Sequence, residues 1–385
     1  MRRRRLGFRR SRLLLSCVAG LVLPGPLLGQ TVAEVCGDSP AQAPGLEVGR
    51  WLPLATGDGH ELSSSMADPI FDRLGTVLEL FHAIPELRHP MGVELRPSRS
   101  IRSVGRRSAA TRVVHSWLLI QVFHPTLEVA GEASASVRVE INSLTPLLYD
   151  AAGPVIGDSV GPIFLEPLLV GEVSGNRIYQ TRNTACVAVL KAHDRPLWLP
   201  VSQERFLRAQ IADIRGKSHE ADSTVSEALA EQREADKEID EMIRRLRATD
   251  PAAADKLERD IAVMRQEAEA GVGQMNELTG GWIGELEAQL AAMSPAERAR
   301  PAYLTGGGKG LELLADPGEE GARALVAPNA EYFDADDDLT AFQLLTVRMS
   351  DVAEHPPETT IIDAVRRGLN WEALGRFLGN GSTPR

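Results

Sequence analysis

Four carboxylates, Asp334, Asp336, Asp337 and Asp338, crowd between two apolar runs, Leu325-Val-Ala327 and Phe342-Gln-Leu-Leu-Thr-Val347. Oxygen-rich stretches hold hard cations, and Asp334, Asp336 and Asp338 alternate as the opening ligands of a calcium loop do. Such a loop needs Gly at its sixth position and Glu at its twelfth. Here those places are Leu339 and Leu345. The flanking runs read as strands, and polar residues gather wherever a connection between strands meets water. A solvated turn is therefore expected, with calcium held by Asp334, Asp336 and Asp338 as the alternative. No other cofactor is expected.

Other sites with chemistry are few. Thr305-Gly-Gly-Gly-Lys-Gly310 has the flavour of a phosphate loop. However, Tyr303 stands where the first Gly is required, and Gly310 replaces the Ser or Thr that follows the Lys. It reads as an irregular loop. The eight His fall at 60, 82, 89, 115, 124, 193, 219 and 355, and no two share one element at metal-ligand spacing. No Ser-x-x-Lys occurs. Of three Cys, Cys17 lies in a segment expected to be removed, which leaves Cys36 and Cys186. Two thiols in an oxidising compartment invite a disulfide, here closing a loop of about 150 residues. The alternative is two unpaired thiols.

The removable segment is the N-terminus. Residues 1–12 carry seven Arg and no acid, and Leu13-Leu-Leu-Ser-Cys-Val-Ala-Gly-Leu-Val-Leu23 follows as an apolar run. That is the layout of a secretory signal peptide, and the run is too short to span a bilayer. Cleavage is expected within 29–33. Loss of residues 1–33 leaves 35 bases against 53 acids, a net of −18. Such a charge repels nucleic acid and anionic lipid. At 43% hydrophobic and 25% charged, the remaining chain has the balance of a folded, water-soluble protein. The expected location is exported, periplasmic or extracellular, with no transmembrane segment after cleavage.

The elements that position these residues divide the 385-residue chain. Residues 34–66 read as a loose lead-in. A helix is expected from Asp68-Pro69, with Ile70, Leu74, Val77, Leu78 and Phe81 on one face, stopped by Pro85. Strands are expected at 113–123, 135–142 and 177–190, the second alternating Val137, Val139 and Ile141 against polar residues. Together 67–200 reads as an α+β domain, an antiparallel sheet with a packed helix. A cystatin-like wrap of sheet around helix is one candidate.

Beyond Ser202 the pattern changes. Apolar and small residues from Leu207, Ile211 and Ile214 to Ile239, Met242 and Leu246 repeat at steps of 4 and 3. After Asp250-Pro251, a second series runs Leu257, Ile261, Met264, Ala268, Gly271, Met275, Leu278 and Trp282. These heptad spacings predict a long antiparallel helical hairpin over 201–299, with arms of about 60 Å. Gly280-Gly281 predicts a break in the second arm. Ser294-Pro-Ala-Glu297 is a capping box with Pro at its first position.

Residues 300–350 read as a Gly-rich loop and two strands that complete the α+β domain, and 351–385 as short C-terminal helices. An arm of this shape reaches partners. The expectation is a non-enzymatic protein contacting another protein through residues 204–293. The competing expectation is an enzyme or small-ligand binder using the sheet face near Trp117, Tyr179 and Trp198.

Overall fold

The computed structural model describes residues 48–57, 62–102, 114–123, 135–149, 154–157, 161–180, 185–305, 314–333, 340–350 and 356–379. The chain is a mixed α/β protein built on a large mixed sheet. Short strands β1 (Arg50–Trp51) and β2 (Ala55–Thr56) precede helix α1 (Ser64–His82). A single turn, α2 (Pro85–Arg88), leads into β3 (Glu94–Arg102). β1 and β2 both pair parallel with β3. The strand–helix–strand connection through α1 is what makes parallel pairing possible. The expected purely antiparallel sheet is thus corrected at this edge, and the expected loose lead-in over 34–66 contains two strands. Two residues each is too short for alternation to signal them.

The rest of the large sheet is antiparallel. β4 (His115–Phe123) pairs with β3, and β5 (Ala135–Ile141) with β4. A short helix α3 (Thr145–Leu148) and strands β6 (Pro154–Ile156) and β7 (Ile163–Leu165) then leave this sheet. β8 (Leu168–Val173), β9 (Asn176–Gln180) and β10 (Cys186–Lys191) return to it. The single strand expected over 177–190 is therefore two, with Cys186 opposite Gln180 across the β9–β10 pair. Residues 181–184 lie outside the described residues. The far strand β14 (Leu344–Ser350) slots between β5 and β10.

The second sheet has the order β11 (Trp198–Pro200), β13 (Ala322–Pro328), β7, β6, with β12 (Tyr303–Thr305) beside β13. Between β11 and β12 run α4 (Gln203–Thr249), α5 (Pro251–Ala292) and the one-turn α6 (Pro295–Arg298). After β14 the chain ends in α7 (Pro356–Gly368) and α8 (Trp371–Gly375).

Strand alternation sets the layers. On one face of the large sheet, Leu118, Ile120, Val137, Val139, Leu345 and Val347 bury against Leu74, Leu78 and Phe81 of α1 and Ile362, Val365 and Leu374 of α7 and α8. On the other, Tyr179, Val187, Val189 and Leu344 meet Phe164 and Val326 of the second sheet, with Tyr332 wholly buried among them. The second sheet turns Leu165, Leu325 and Ala327 outward against Phe206, Leu207 and Ile211 of α4 and Leu286 of α5.

Local chemistry places the helix ends. Ser202 accepts from the Arg205 N–H at 3.2 Å, and Asn370 caps α8 from its side chain. Asp250 ends α4 and accepts from Ala253 N at 3.1 Å to start α5, with Pro251 at the first position. Ser294 and Glu297 form the reciprocal capping box. α1 begins at Ser64 rather than at Asp68, so Pro69 sits inside it. Pro69 is the sixth helical residue, past the first-turn N–H groups that lack an intrahelical acceptor, so the Ser65 carbonyl loses its usual i→i−4 donor there.

The β1 edge depends on a close backbone approach. A Cβ on Gly49 would lie 1.9 Å from the Val93 carbonyl oxygen and 2.9 Å from that of Pro90. Glu94 adds an ionic tie, meeting Arg96 at 2.6 Å and Arg50 at 2.7 Å. The hydrogen bond from Arg96, helped by Arg50, holds the Glu94 carboxyl below the usual carboxylate range despite partial burial. Gly49→Ala is expected to push β1 off β3 and cost about 1–3 kcal/mol. A urea midpoint unchanged from the parent chain would show that this approach is not required.

Candidate functional site

Helices α4 and α5 meet at two described places. Near β11 and β12, Arg215 pairs with Glu287 at 2.6 Å, and Leu207 and Ile211 share a cluster with Leu286, Ile283 and Leu290. At the opposite end, Ile243, Ala254 and Ile261 bury together beside Ile239, Leu246 and Leu257. Arg247 pairs there with Glu258 at 2.5 Å. The ion pairs are exposed and each contributes at most about 1 kcal/mol, so the apolar contacts carry the association.

The inward-facing set differs from the heptad reading. Met242, Met264, Leu278 and Trp282 are exposed at 57, 61, 47 and 37%. Ile243, Ile283 and Leu286 turn inward instead. A straight helix drifts about 20° per heptad from a 3.5-residue repeat. From Leu207, ten turns of 3.6 residues reach Ile243, whereas five heptads reach Met242. The predicted break at Gly280-Gly281 is absent, and α5 runs unbroken through both. Each Gly costs about 1 kcal/mol, but Ile283 and Leu286 anchor the next turn against α4. The seam positions within 221–237 and 267–276 lie outside the described side chains.

The chain enters and leaves this region at one point. Gln203 N donates to Arg300 O at 2.9 Å, and Ala302 N to Val201 O at 2.8 Å. Both flanks also bond β13, through Val201 N to Leu325 O and Leu325 N to Ala302 O.

The aromatic trio expected on the sheet face is not brought together. Tyr179 and Trp198 touch edge to face at 5.6 Å, and Trp198 donates to Glu166 at 3.2 Å. Burial pushes the Tyr179 phenol up from its ordinary pKa. Trp117 is four strand spacings away on β4, about 19 Å, under the Arg138 guanidinium. The second sheet fills the face at Tyr179.

Asp334, Asp336 and Asp338 lie outside the described residues, as do Cys36 and the Gly-rich loop from 306. Among the described residues no group of three His, Cys, Asp or Glu is placed to hold a metal. Cys186 is disulfide-bonded, with its partner outside the described residues. His82 stands edge-on to Trp51, and His193 packs tilted against Tyr332.

One motif escapes the sequence reading, which finds no G-x-S-x-G. Gly157-Asp-Ser-Val-Gly161 has the G-x-S-x-G spacing of a nucleophile elbow. An elbow lies between a strand and a helix. Here the motif connects the antiparallel pair β6 and β7, and residues 158–160 lie outside the described set. Its setting therefore lacks the helix that the mechanism needs.

Among the described residues no helix is long and apolar enough to cross a membrane. No known family, no curated protein and no solved structure matches the chain.

Proposed function

We propose that this is an exported protein that works without catalysis, through contact with another protein. Its working part is residues 203–292, an antiparallel helical hairpin that projects as an arm from an α+β body. The observation carrying this reading is the shared root. The flanks at 201–203 and 300–302 bond each other and β13, as those of an inserted arm would. Exposed Met242, Val263 and Met264 give its far half apolar contact area among charged residues. Adaptable Met side chains suit a contact surface. Within the body, the packing of α1 against β3 and β4 supports the proposal of a cystatin-like helix-on-sheet element.

Export is supported by the bonded state of Cys186, since disulfides persist in oxidising compartments. Cys36 is the proposed partner, because Cys17 would leave with the signal peptide. A periplasmic or extracellular site follows.

The test compares the mature chain with a version in which a short linker replaces 220–281, keeping the root of both helices on the second sheet. Both are cross-linked in the native envelope and recovered. Because Phe206, Leu207, Ile211 and Leu286 stay packed on the second sheet and the flanks still touch, the shortened chain is expected to melt cooperatively and to capture no partner. Equal capture by both chains overturns the arm reading.

A further inference from the structure

Away from the arm, a cleft of about 600 Å³ opens between the β1–β2 segment, α1 and β3. That volume falls within the usual range for small-ligand sites. Its floor is apolar, from Leu54, Leu78 and Pro97. Trp51 forms one wall. Its indole N–H donates to the Leu87 carbonyl and His82 stands edge-on to its ring at 4.2 Å, so the ring is fixed.

Asp72 and Glu79 line the α1 side, with His82 beyond them. The Glu79 carboxylate is 3.6 Å from His82, and that of Asp72 has no ionic partner among the described residues. Arg99 is the cation at the cleft, and it is committed elsewhere. Its Nη1 donates to Phe71 O at 2.5 Å, its Nε to Thr56 at 3.2 Å, and its guanidinium lies over the Phe71 ring. Gly75 makes room for that crossing, since a Cβ there would lie 3.3 Å from Arg99 Nη1.

The geometry points to an organic ammonium ion as the ligand of this cleft, its charge against Trp51 and the two carboxylates and its apolar part on the floor. A held indole face and nearby carboxylates are what desolvated ammonium groups favour. An anion would meet Asp72 and Glu79, and a neutral ligand would leave them unused.

The test is calorimetric titration of the mature chain with choline, with its neutral carbon isostere dimethylbutanol, and with dimethylbutyrate. Choline is expected to bind saturably, with Kd on the order of 1 mM. The isostere and the anion are expected to bind at least about tenfold more weakly. The double variant Asp72→Asn/Glu79→Gln changes only exposed positions, so its melting should stay that of the parent while choline binding falls about fivefold. Trp51→Ala should lose about tenfold. No saturable choline heat, equal binding of the isostere, or undiminished binding by a normally melting double variant each overturns the proposal.

Discussion

Asn142→Ala should lower the melting temperature by roughly 10 °C. Asn142 closes β5 with a left-handed backbone, φ 54°. Its side chain is buried and meets four main-chain groups. Nδ2 donates to Ala341 O at 2.8 Å and Val114 O at 3.3 Å. Oδ1 accepts from Gln343 N at 2.8 Å and Leu344 N at 3.1 Å. One amide thus joins the start of β4, the end of β5 and the start of β14. Removing it leaves buried groups unpaired, at about 1–3 kcal/mol each before relaxation, and about 3–5 kcal/mol in total is expected.

Two further variants separate the contributions. Asn142→Asp keeps the acceptor but cannot donate twice, so it should be destabilised nearly as much as Ala. Asn142→Gly relieves the backbone but restores no bond, so it should stay well below the parent. An Ala variant within about 1 kcal/mol of the parent would show that the amide is not the clamp described.

The second large effect is expected at the disulfide. Cys186 opens β10 and is 2% exposed, between Gln180 and Met349. A bond from there to Cys36 closes a loop of about 150 residues, for which constraint of the unfolded chain gives up to about 4–5 kcal/mol. Cys36→Ala is the informative variant, because Cys186→Ala also leaves a small cavity in the core. We expect Cys36→Ala to cost about 2–5 kcal/mol in urea unfolding and to abolish the mobility difference between reduced and non-reduced gels. Reduction of the parent should reproduce the loss, and the double Cys variant should add only the cavity cost. A Cys36→Ala chain that keeps its non-reduced mobility would rule out this pairing.

Much of this protein is legible locally. Ser202, Asp250-Pro251, Ser294 with Glu297, and Asn370 announce helix ends, because a cap acts within one turn of the residue that makes it. Alternation over 135–141 predicts which face of β5 is buried, because the side-chain period is fixed by the backbone.

Errors begin where the answer depends on distant chain. The arginine-rich start and net acidic charge belong to the sequence, and no fold is needed to read them. The spacing of Leu207 and Ile211 likewise predicts a long helix. Whether Met242 or Ile243 faces inward depends on the pitch the packed helix takes, and one residue of drift exchanged them. The placing of β14 between β5 and β10 depends on strands roughly 210 and 160 residues earlier in the chain. The left-handed Asn142, the contact at Gly49 and the Trp51–His82 cleft exist only because non-adjacent segments meet. Capping and periodicity are properties of one turn or one pleat, so the sequence determines them alone. Register, strand order and the cleft are chosen by long-range burial, which only the tertiary structure decides.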